Sequence, residues 1–380
     1  MLDIDVLKLA SILNNTICSV IACLFLLLSR RKLNNHKVST AGWFSAYFLC
    51  FSIAFGTTEM RGWVSIEWVV LSNNFLYQAV TYMLLFGVMS WFKYPAKCTW
   101  FVFAALHTFV YTAFQFWLLK NFPQHFEWRV NLAAVSFSAV HLYSAWFAFR
   151  HMNKKSGGEK LLTFCLVLSS LFVFLPATLY QLFDSTIYFL SGVLVGQNLL
   201  TIVSLGSILS LFFYDEIEWH HYRAVHDELT GLYNRRYFME QASSELDNSS
   251  NTWTIALLDV DHFKQVNDRY GHDAGDLALC HIADILSREF KGDLVARYGG
   301  EEFTIMLAGH QATNQLRLEH FHREVSRNHL IAGELDIAMT VSIGIAEVSH
   351  SSELQRALKM ADIALYDAKE TGRNRLVPLV

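Results

Sequence analysis

Seven apolar runs follow one another through the first 214 residues: Leu9–Leu28, Val38–Thr57, Trp68–Phe92, Cys98–Leu119, Val130–Phe149, Leu161–Phe183 and Ile187–Tyr214. About 20 residues cross the hydrocarbon core as a helix, so each run is long enough to span. The seventh leads directly into Asp215–His226, which holds neither Gly nor Pro, and the pattern predicts that the helix continues as a stalk. Tyr214, Ile217, His221, Ala224 and Glu228 form a weak helical seam, suited to a short parallel coiled coil. The stalk histidines have no acidic or cysteine partner at ligand spacing and read as a solvated face. From Asp227 the pattern changes. A strand is predicted over Trp253–Asp259, an amphipathic helix over Asp273–Phe290 and a glycine hairpin near residue 300. A helix over Gln311–His329, a strand over Ala338–Ala346, a helix over Glu353–Thr371 closed by a left-handed Gly372, and a short strand over Leu376–Leu379 follow. The predicted architecture is an α-helical membrane bundle over 1–214, a helical linker over 215–226, and an α/β (α+β) domain with a mostly antiparallel sheet over 227–380.

Composition agrees with this division. The chain has 380 residues, 53% hydrophobic and only 17% charged, which is too apolar for one soluble domain. The excess is confined to the first 214 residues, and the rest is ordinary globular sequence. A net charge of −4 gives no nucleic-acid footprint. The six cysteines show neither zinc spacing nor a disulfide framework, and read as small buried apolar residues. No basic stretch precedes the first run, so no cleavable signal peptide is expected. Basic residues alternate between loops. Arg30, Arg31, Lys32, Lys37, Lys93, Lys97, Arg150, Lys154, Lys155 and Lys160 fall on one side; Lys8, Arg61, Lys120 and Arg129 fall on the other. The positive-inside bias puts the first group in the cytoplasm, the N-terminus outside and the C-terminal domain inside. His107 and His141 are the titratable groups well within the spans; Glu59, Glu67 and Asp184 sit near the outer ends. This argues for a sensory or anchoring module over a transport path.

The candidate chemistry lies in Arg297-Tyr298-Gly299-Gly300-Glu301-Glu302-Phe303 and in Asp259-Val260-Asp261-His262-Phe263-Lys264. Each is a strand pattern running into acidic residues. The first passes through two glycines, expected to permit positive φ at a Gly299–Glu302 turn and close approach of an anion. Carboxylates at the turn and at the end of a neighbouring strand are oxygen ligands for a hard cation such as Mg²⁺. Gly-Gly hairpins with acidic neighbours are common structural features, so the accompanying segments decide the matter.

Those segments resemble one family throughout. Asp227-Glu228-Leu229-Thr230-Gly231-Leu232-Tyr233-Asn234-Arg235-Arg236-Tyr237-Phe238, then Asp259 to Lys264 with Asn267-Asp268, Tyr270-Gly271-His272 and Gly275-Asp276, stand in its order. The Arg297–Phe303 signature, Val341-Ser342-Ile343-Gly344-Ile345-Ala346, and Ala361-Asp362 through Tyr366, Lys369 and Gly372-Arg373-Asn374-Arg375 complete it. The region 227–376 resembles the GGDEF domain, the nucleotidyl-cyclase-like catalytic unit of diguanylate cyclases, which join two GTP into cyclic di-GMP. The resemblance does not reach residues 1–214.

The resemblance implies roles for individual positions. Asp259, the Val260 carbonyl and Glu301 correspond to ligands of Mg²⁺ or Mn²⁺. Glu302 corresponds to an acid that assists the metal or deprotonates the attacking 3′-hydroxyl. Asn267 and Asp276 correspond to the guanine-reading pair; a carboxylate accepts from guanine N1–H and N2–H₂, and an amide both donates and accepts. His272 corresponds to a further nucleotide contact. Lys264, Lys369 and Arg373 match positions that neutralise the triphosphate. Phe263 matches a position whose backbone nears the phosphates, its ring being a core group; Asp261 and Asp268 read as structural. Many members carry an inhibitory product site, Arg-x-x-Asp. The stretch here is Phe290-Lys291-Gly292-Asp293, with the aspartate present and Phe290 in place of the arginine. The resemblance further implies GTP as substrate, a homodimer for catalysis, and a bacterial inner-membrane location. The rival reading is an inactive membrane receptor for GTP or cyclic di-GMP.

Overall fold

The computed structural model describes residues 13, 16–21, 24, 35–60, 63–154, 156–249, 251–332 and 335–378. The predicted span Leu9–Leu28 falls largely outside the described residues, as do Lys8, Arg30, Arg31, Lys32, Arg61 and Lys155 of the charge comparison. The chain divides into two compact units, residues 1–217 and 218–380.

The first unit is helical: α1 (Asn35–Glu59), α2 (Ile66–Trp91), α3 (Cys98–Asn121), α4 (Phe126–His151), α5 (Gly157–Phe172), α6 (Leu175–Phe183) and α7 (Thr186–Val225). Six stretches among the described residues are long and apolar enough to cross a membrane, with α5 and α6 together making one. The predicted sixth span is thus broken at Val173–Phe174, just ahead of Pro176, which lacks the N–H that would continue the ladder. The interior is aromatic, with Phe44, Tyr47, Phe48 and Phe55 fully buried. On α3, Val102, Leu106, Phe109 and Val110 are exposed at helical spacing, so an apolar stripe faces away from the unit. α7 continues without interruption from Thr186 to Val225.

The second unit carries β1 (Tyr233–Asn234), α8 (Arg235–Asn248), β2 (Trp253–Val260), α9 (Phe263–Tyr270), α10 (His272–Glu289), β3 (Leu294–Arg297), β4 (Glu302–Ala308) and α11 (Gln311–Arg327). A small hairpin of β5 (Leu330–Ala332) and β6 (Leu335–Ile337) follows, then β7 (Val341–Val348), α12 (Leu354–Glu370) and β8 (Leu376–Pro378). The main sheet has the order β1-β3-β4-β2-β7-β8. Its four central strands are antiparallel, while β1 and β8 add in parallel at the edges, so the sheet is mixed. The β5–β6 hairpin lies between the expected helix end at His329 and strand start at Ala338, where no element is predicted, and β7 begins at Val341 rather than Ala338.

Strand alternation divides the core between two faces. Leu258, Val260, Phe303 and Ile305 pack under α10 and α11 with Ile282, Leu286, Leu318 and Phe321. Ile255, Leu257, Met306 and Ala346 pack on the other face with Phe238 and Ala242 of α8 and Leu358, Ala361 and Leu365 of α12. The same period of two continues beyond the apolar residues, placing Asp259 and Glu302 on the α8/α12 face. At the entrance to the unit, the rings of Tyr222, His226, Tyr233 and Tyr237 stack in series, with centroids 4.2, 4.7 and 4.4 Å apart. Asn234 caps α8 by accepting from the Tyr237 N–H and donates to the Ala224 carbonyl, which ties the end of α7 to β1.

Candidate active site

Asp259 and Glu302 are direct cross-strand partners in the β2–β4 ladder. Side chains so placed share a face with Cβ atoms roughly 5 Å apart, and like charges there repel. The fold answers with a cation from α12. Leu358, Ala361 and Leu365 line the stripe of α12 that packs on the sheet, and Lys369 lies one turn beyond Leu365 on that stripe. Its ammonium reaches the Asp259 carboxylate at 2.8 Å. α12 comes this near because Gly344 of β7 lies beneath it: a Cβ there would run into the Ala361 carbonyl and the Leu365 backbone nitrogen.

Burial pushes the Asp259 carboxyl above the ordinary carboxylate value, opposed by Lys369 and, more distantly, Arg373. Glu301 is also raised, by burial first and then by the charges of Asp259 and Glu302, with Lys369 opposing. One ammonium therefore serves a group of three carboxylates. The Val260 N–H donates to the Glu301 carbonyl at 3.2 Å, fixing the turn against the end of β2. Among the described residues no three His, Cys, Asp or Glu side chains converge as a ready cage. Asp259 and Glu301 are crowded carboxylates served by one ammonium, oxygen chemistry that suits a hard cation.

Asp261 joins three segments around this group. Its buried carboxylate accepts from Thr340 Oγ1 and Ser342 Oγ, both at 2.7 Å, and from the Asn374 N–H at 3.0 Å. Arg373 and Asn374 are both left-handed, with φ of 60° and 47°, so the Asn374 bond holds a strained turn that carries Arg373.

The turn after β3 departs from expectation in two ways. Neither Gly299 nor Gly300 has positive φ among the described residues, and Glu302 is the first residue of β4 rather than a turn residue. Gly299 instead lies against the Glu302 side chain: a Cβ there would meet Glu302 Oε2 at 2.6 Å and displace that flexible carboxylate. Arg297 clamps the turn: its guanidinium donates to the Gly300 carbonyl at 2.7 and 3.1 Å and to Asp227 Oδ1 at 3.0 Å. Asp227 also accepts from the Thr230 N–H and hydroxyl. Burial pushes the Asp227 carboxyl up, but these hydrogen bonds more than offset it and leave it below the ordinary carboxylate value.

A second group sits on α9 and α10. Phe263 is buried, as its ring was expected to be, and Lys264 is exposed in the first turn of α9. Asn267 lies flat on Gly275 of α10, where an added Cβ would strike its side-chain carbonyl. Asp276 is the next residue along, and it and His272 are exposed near the start of α10. The structure thus gathers Asp259, Glu301, Glu302 and Lys369 closely, with Arg373 near by, and sets Asn267 beside the Gly275-Asp276 segment.

A family model described as "Diguanylate cyclase, GGDEF domain" matches residues 224–375. Residues 224–375 form a GGDEF domain. Relatives include the probable diguanylate cyclase DgcC of Escherichia coli, 33% identical over 157 residues, covering 40% of this chain and 42% of DgcC. Diguanylate cyclase DgcM of the same species is 39% identical over 158 residues, covering 40% of this chain and 38% of its own. The chain thus spans under half the length of these two relatives. Among solved structures, the coiled coil and GGDEF domain of DgcB from Caulobacter crescentus in complex with c-di-GMP is 29% identical. It covers 47% of this chain and 98% of its own, with a TM-score of 0.45.

Within the GGDEF domain, Phe290 is a core residue, 2% exposed and packed on Phe321. Asp293 is paired with Arg317 of α11 at 2.6 Å, and that guanidinium lies over the Phe290 ring. The clamp of Arg297 on Gly300 and, at long range, on Asp227 is a contact that the sequence motifs do not disclose. Its signal in the sequence is only an arginine leading into the signature. Arg297→Ala is expected to leave the sheet intact but free the turn, lowering turnover about 10- to 100-fold, because a misplacement of about 1 Å can cost that much. Arg297→Lys, a point charge in place of a fork, should recover only part of it. Turnover of both variants measured beside the wild type checks this; full activity in Arg297→Ala would remove the clamp from the account.

Proposed function

We propose that the chain is a membrane-anchored diguanylate cyclase, condensing two GTP into cyclic di-GMP with release of two pyrophosphates. The observation that carries this reading is the Asp259–Glu302 cross-strand pair with Lys369 above it. A fold accepts such repulsion at one spot where the site must hold a cation and a polyanion. Asp259, Glu301 and the Val260 carbonyl would hold Mg²⁺ or Mn²⁺. Bound there, the cation would neutralise phosphate charge as the bond to pyrophosphate breaks. Lys264, Lys369 and Arg373 bind the triphosphate, and Asn267 and Asp276 select guanine by its donor edge, with His272 a further contact. Glu302, held over Gly299, is the acid placed to accept a proton from the attacking 3′-hydroxyl.

One domain holds one GTP, so each 3′-hydroxyl must meet the α-phosphate in a second domain, and a homodimer is required. α7 is the element by which the helical unit would control that pairing. The apolar stripes of the helices are suited to lipid, and the charge bias supports a cytoplasmic GGDEF domain. Cyclic dinucleotide should form from GTP with Mg²⁺ or Mn²⁺ and not after chelation or from ATP. Equal product from ATP would contradict the assignment of Asn267 and Asp276.

Product inhibition at the stretch before β3 should be weak or absent, since Phe290 is buried where an arginine would serve and Asp293 is committed to Arg317. Titration of the purified protein with cyclic di-GMP checks this. Strong inhibition lost in Asp293→Ala would overturn it.

A further inference from the structure

A cavity of about 210 Å³ lies inside the helical unit, with walls drawn from α1 through α7. Most of its lining is apolar, including Phe51, Val80, Phe137 and Phe189. Several polar groups there are already engaged. Gln115 Nε2 donates to the Arg129 carbonyl at 2.9 Å and to Tyr111, and Asn74 Oδ1 accepts from the Tyr111 hydroxyl at 2.7 Å. Two lining groups stand apart. Among the described residues, Arg129 Nε and Gln197 Oε1 are shut off from solvent and have no hydrogen-bond partner.

Buried polar atoms are nearly always paired, and an unpaired donor on a cation is the costliest kind. The acids that might serve Arg129 are taken: Glu127 pairs with His125, and Glu67 with Lys120. The guanidinium lies over the Phe126 ring, which orients it without supplying an acceptor. Arg129 and Gln197 both line the cavity, so a cationic side chain and a side-chain amide border a mainly apolar space. That is the usual pattern of a small-molecule site, in which a few polar groups fix orientation.

We propose that this cavity binds a small organic carboxylate. The carboxylate accepts from Arg129, a hydroxyl or amine donates to Gln197, and an apolar body fills the space between. Size limits the ligand. An apolar cavity of about 150 Å³ holds benzene, so this one holds a single ring or a short chain with its substituents. Arg129 belongs to α4 and Gln197 to α7, so an occupant spanning both fixes one helix against the other. Since α7 continues to Val225, occupancy bears on the same helix that leads out of the unit.

The test is a calorimetric titration of the full chain in detergent with 3- and 4-hydroxybenzoate, which carry both groups at two spacings. 4-Hydroxybenzyl alcohol and benzoate serve as comparators lacking the anion and the donor. At least one hydroxybenzoate is expected to bind about tenfold or more tightly than the alcohol, the difference a charged hydrogen bond makes. Arg129→Gln should abolish that preference, and Gln197→Leu should erase the advantage over benzoate. If the variants misfold, the preference of the wild type for the anion still decides. Absence of binding by both hydroxybenzoates, or equal binding of the alcohol, would overturn the proposal. The readout involves no nucleotide, so its failure leaves the cyclase assignment untouched.

Discussion

Gly344→Ala is expected to destabilise the second unit by about 3 kcal/mol or more and to remove most activity, the upper end of what overpacking costs. The reason is the partner it meets. A methyl group there would strike the Ala361 carbonyl and the Leu365 nitrogen, which are helix backbone and cannot turn aside as a side chain does. α12 would have to lift from β7, and Lys369, one turn beyond Leu365, would leave Asp259. The Asp259–Glu302 pair would then face each other without their ammonium. Hydrogen exchange on the full chain reads this directly: amides of β7 and α12 should lose protection together with turnover. Unchanged protection in both elements would show that the helix is not seated as described.

Asp261→Ala is expected to have the second largest effect, about 2–4 kcal/mol, for loss of a buried carboxylate that accepts three hydrogen bonds. Thr340, Ser342 and the Asn374 N–H would lose their shared acceptor, and the left-handed turn through Arg373 would lose its tie to the end of β2. Since Arg373 is assigned to the triphosphate, KM for GTP should rise about tenfold or more, the effect of one displaced charged contact. Asp261→Asn keeps the shape and some acceptor capacity, so its effects should be smaller. Steady-state kinetics and thermal unfolding check the pair. An unchanged KM in Asp261→Ala would separate this network from nucleotide binding.

How far the sequence reveals these features depends on how local their causes are. The apolar run along Trp253–Asp259 predicts β2, and the period of two along the strand explains why Asp259 faces α12. The helices α10, α11 and α12 are each found within a few residues of expectation, because their apolar stripes are long. The β5–β6 hairpin is too short to carry a period, and its residues read as the connection between two predicted elements. The Gly299-Gly300 pair suggests positive φ, yet the structure uses neither glycine that way; Gly299 lies against the Glu302 side chain that the folded hairpin brings over it. Long-range contacts are the least legible. Arg297 meets Asp227 across 70 residues, and Lys369 meets Asp259 across more than 100. Asp261 reads as structural and is so, but its link to Arg373 through Asn374 appears only when β2, β7 and the end of α12 come together. In the helical unit, hydropathy marks the spans but not the cavity, since Arg129 and Gln197 lie on separate helices.

The most direct measurement is product formation by the solubilised full chain from labelled GTP with Mg²⁺, beside Glu302→Ala. The account predicts cyclic di-GMP from the wild type and about 10²- to 10³-fold less from the variant, the usual cost of removing one group that acts on the reacting centre. No cyclic dinucleotide from the wild type, with Mg²⁺ or Mn²⁺, or equal yields from the two proteins, would contradict it.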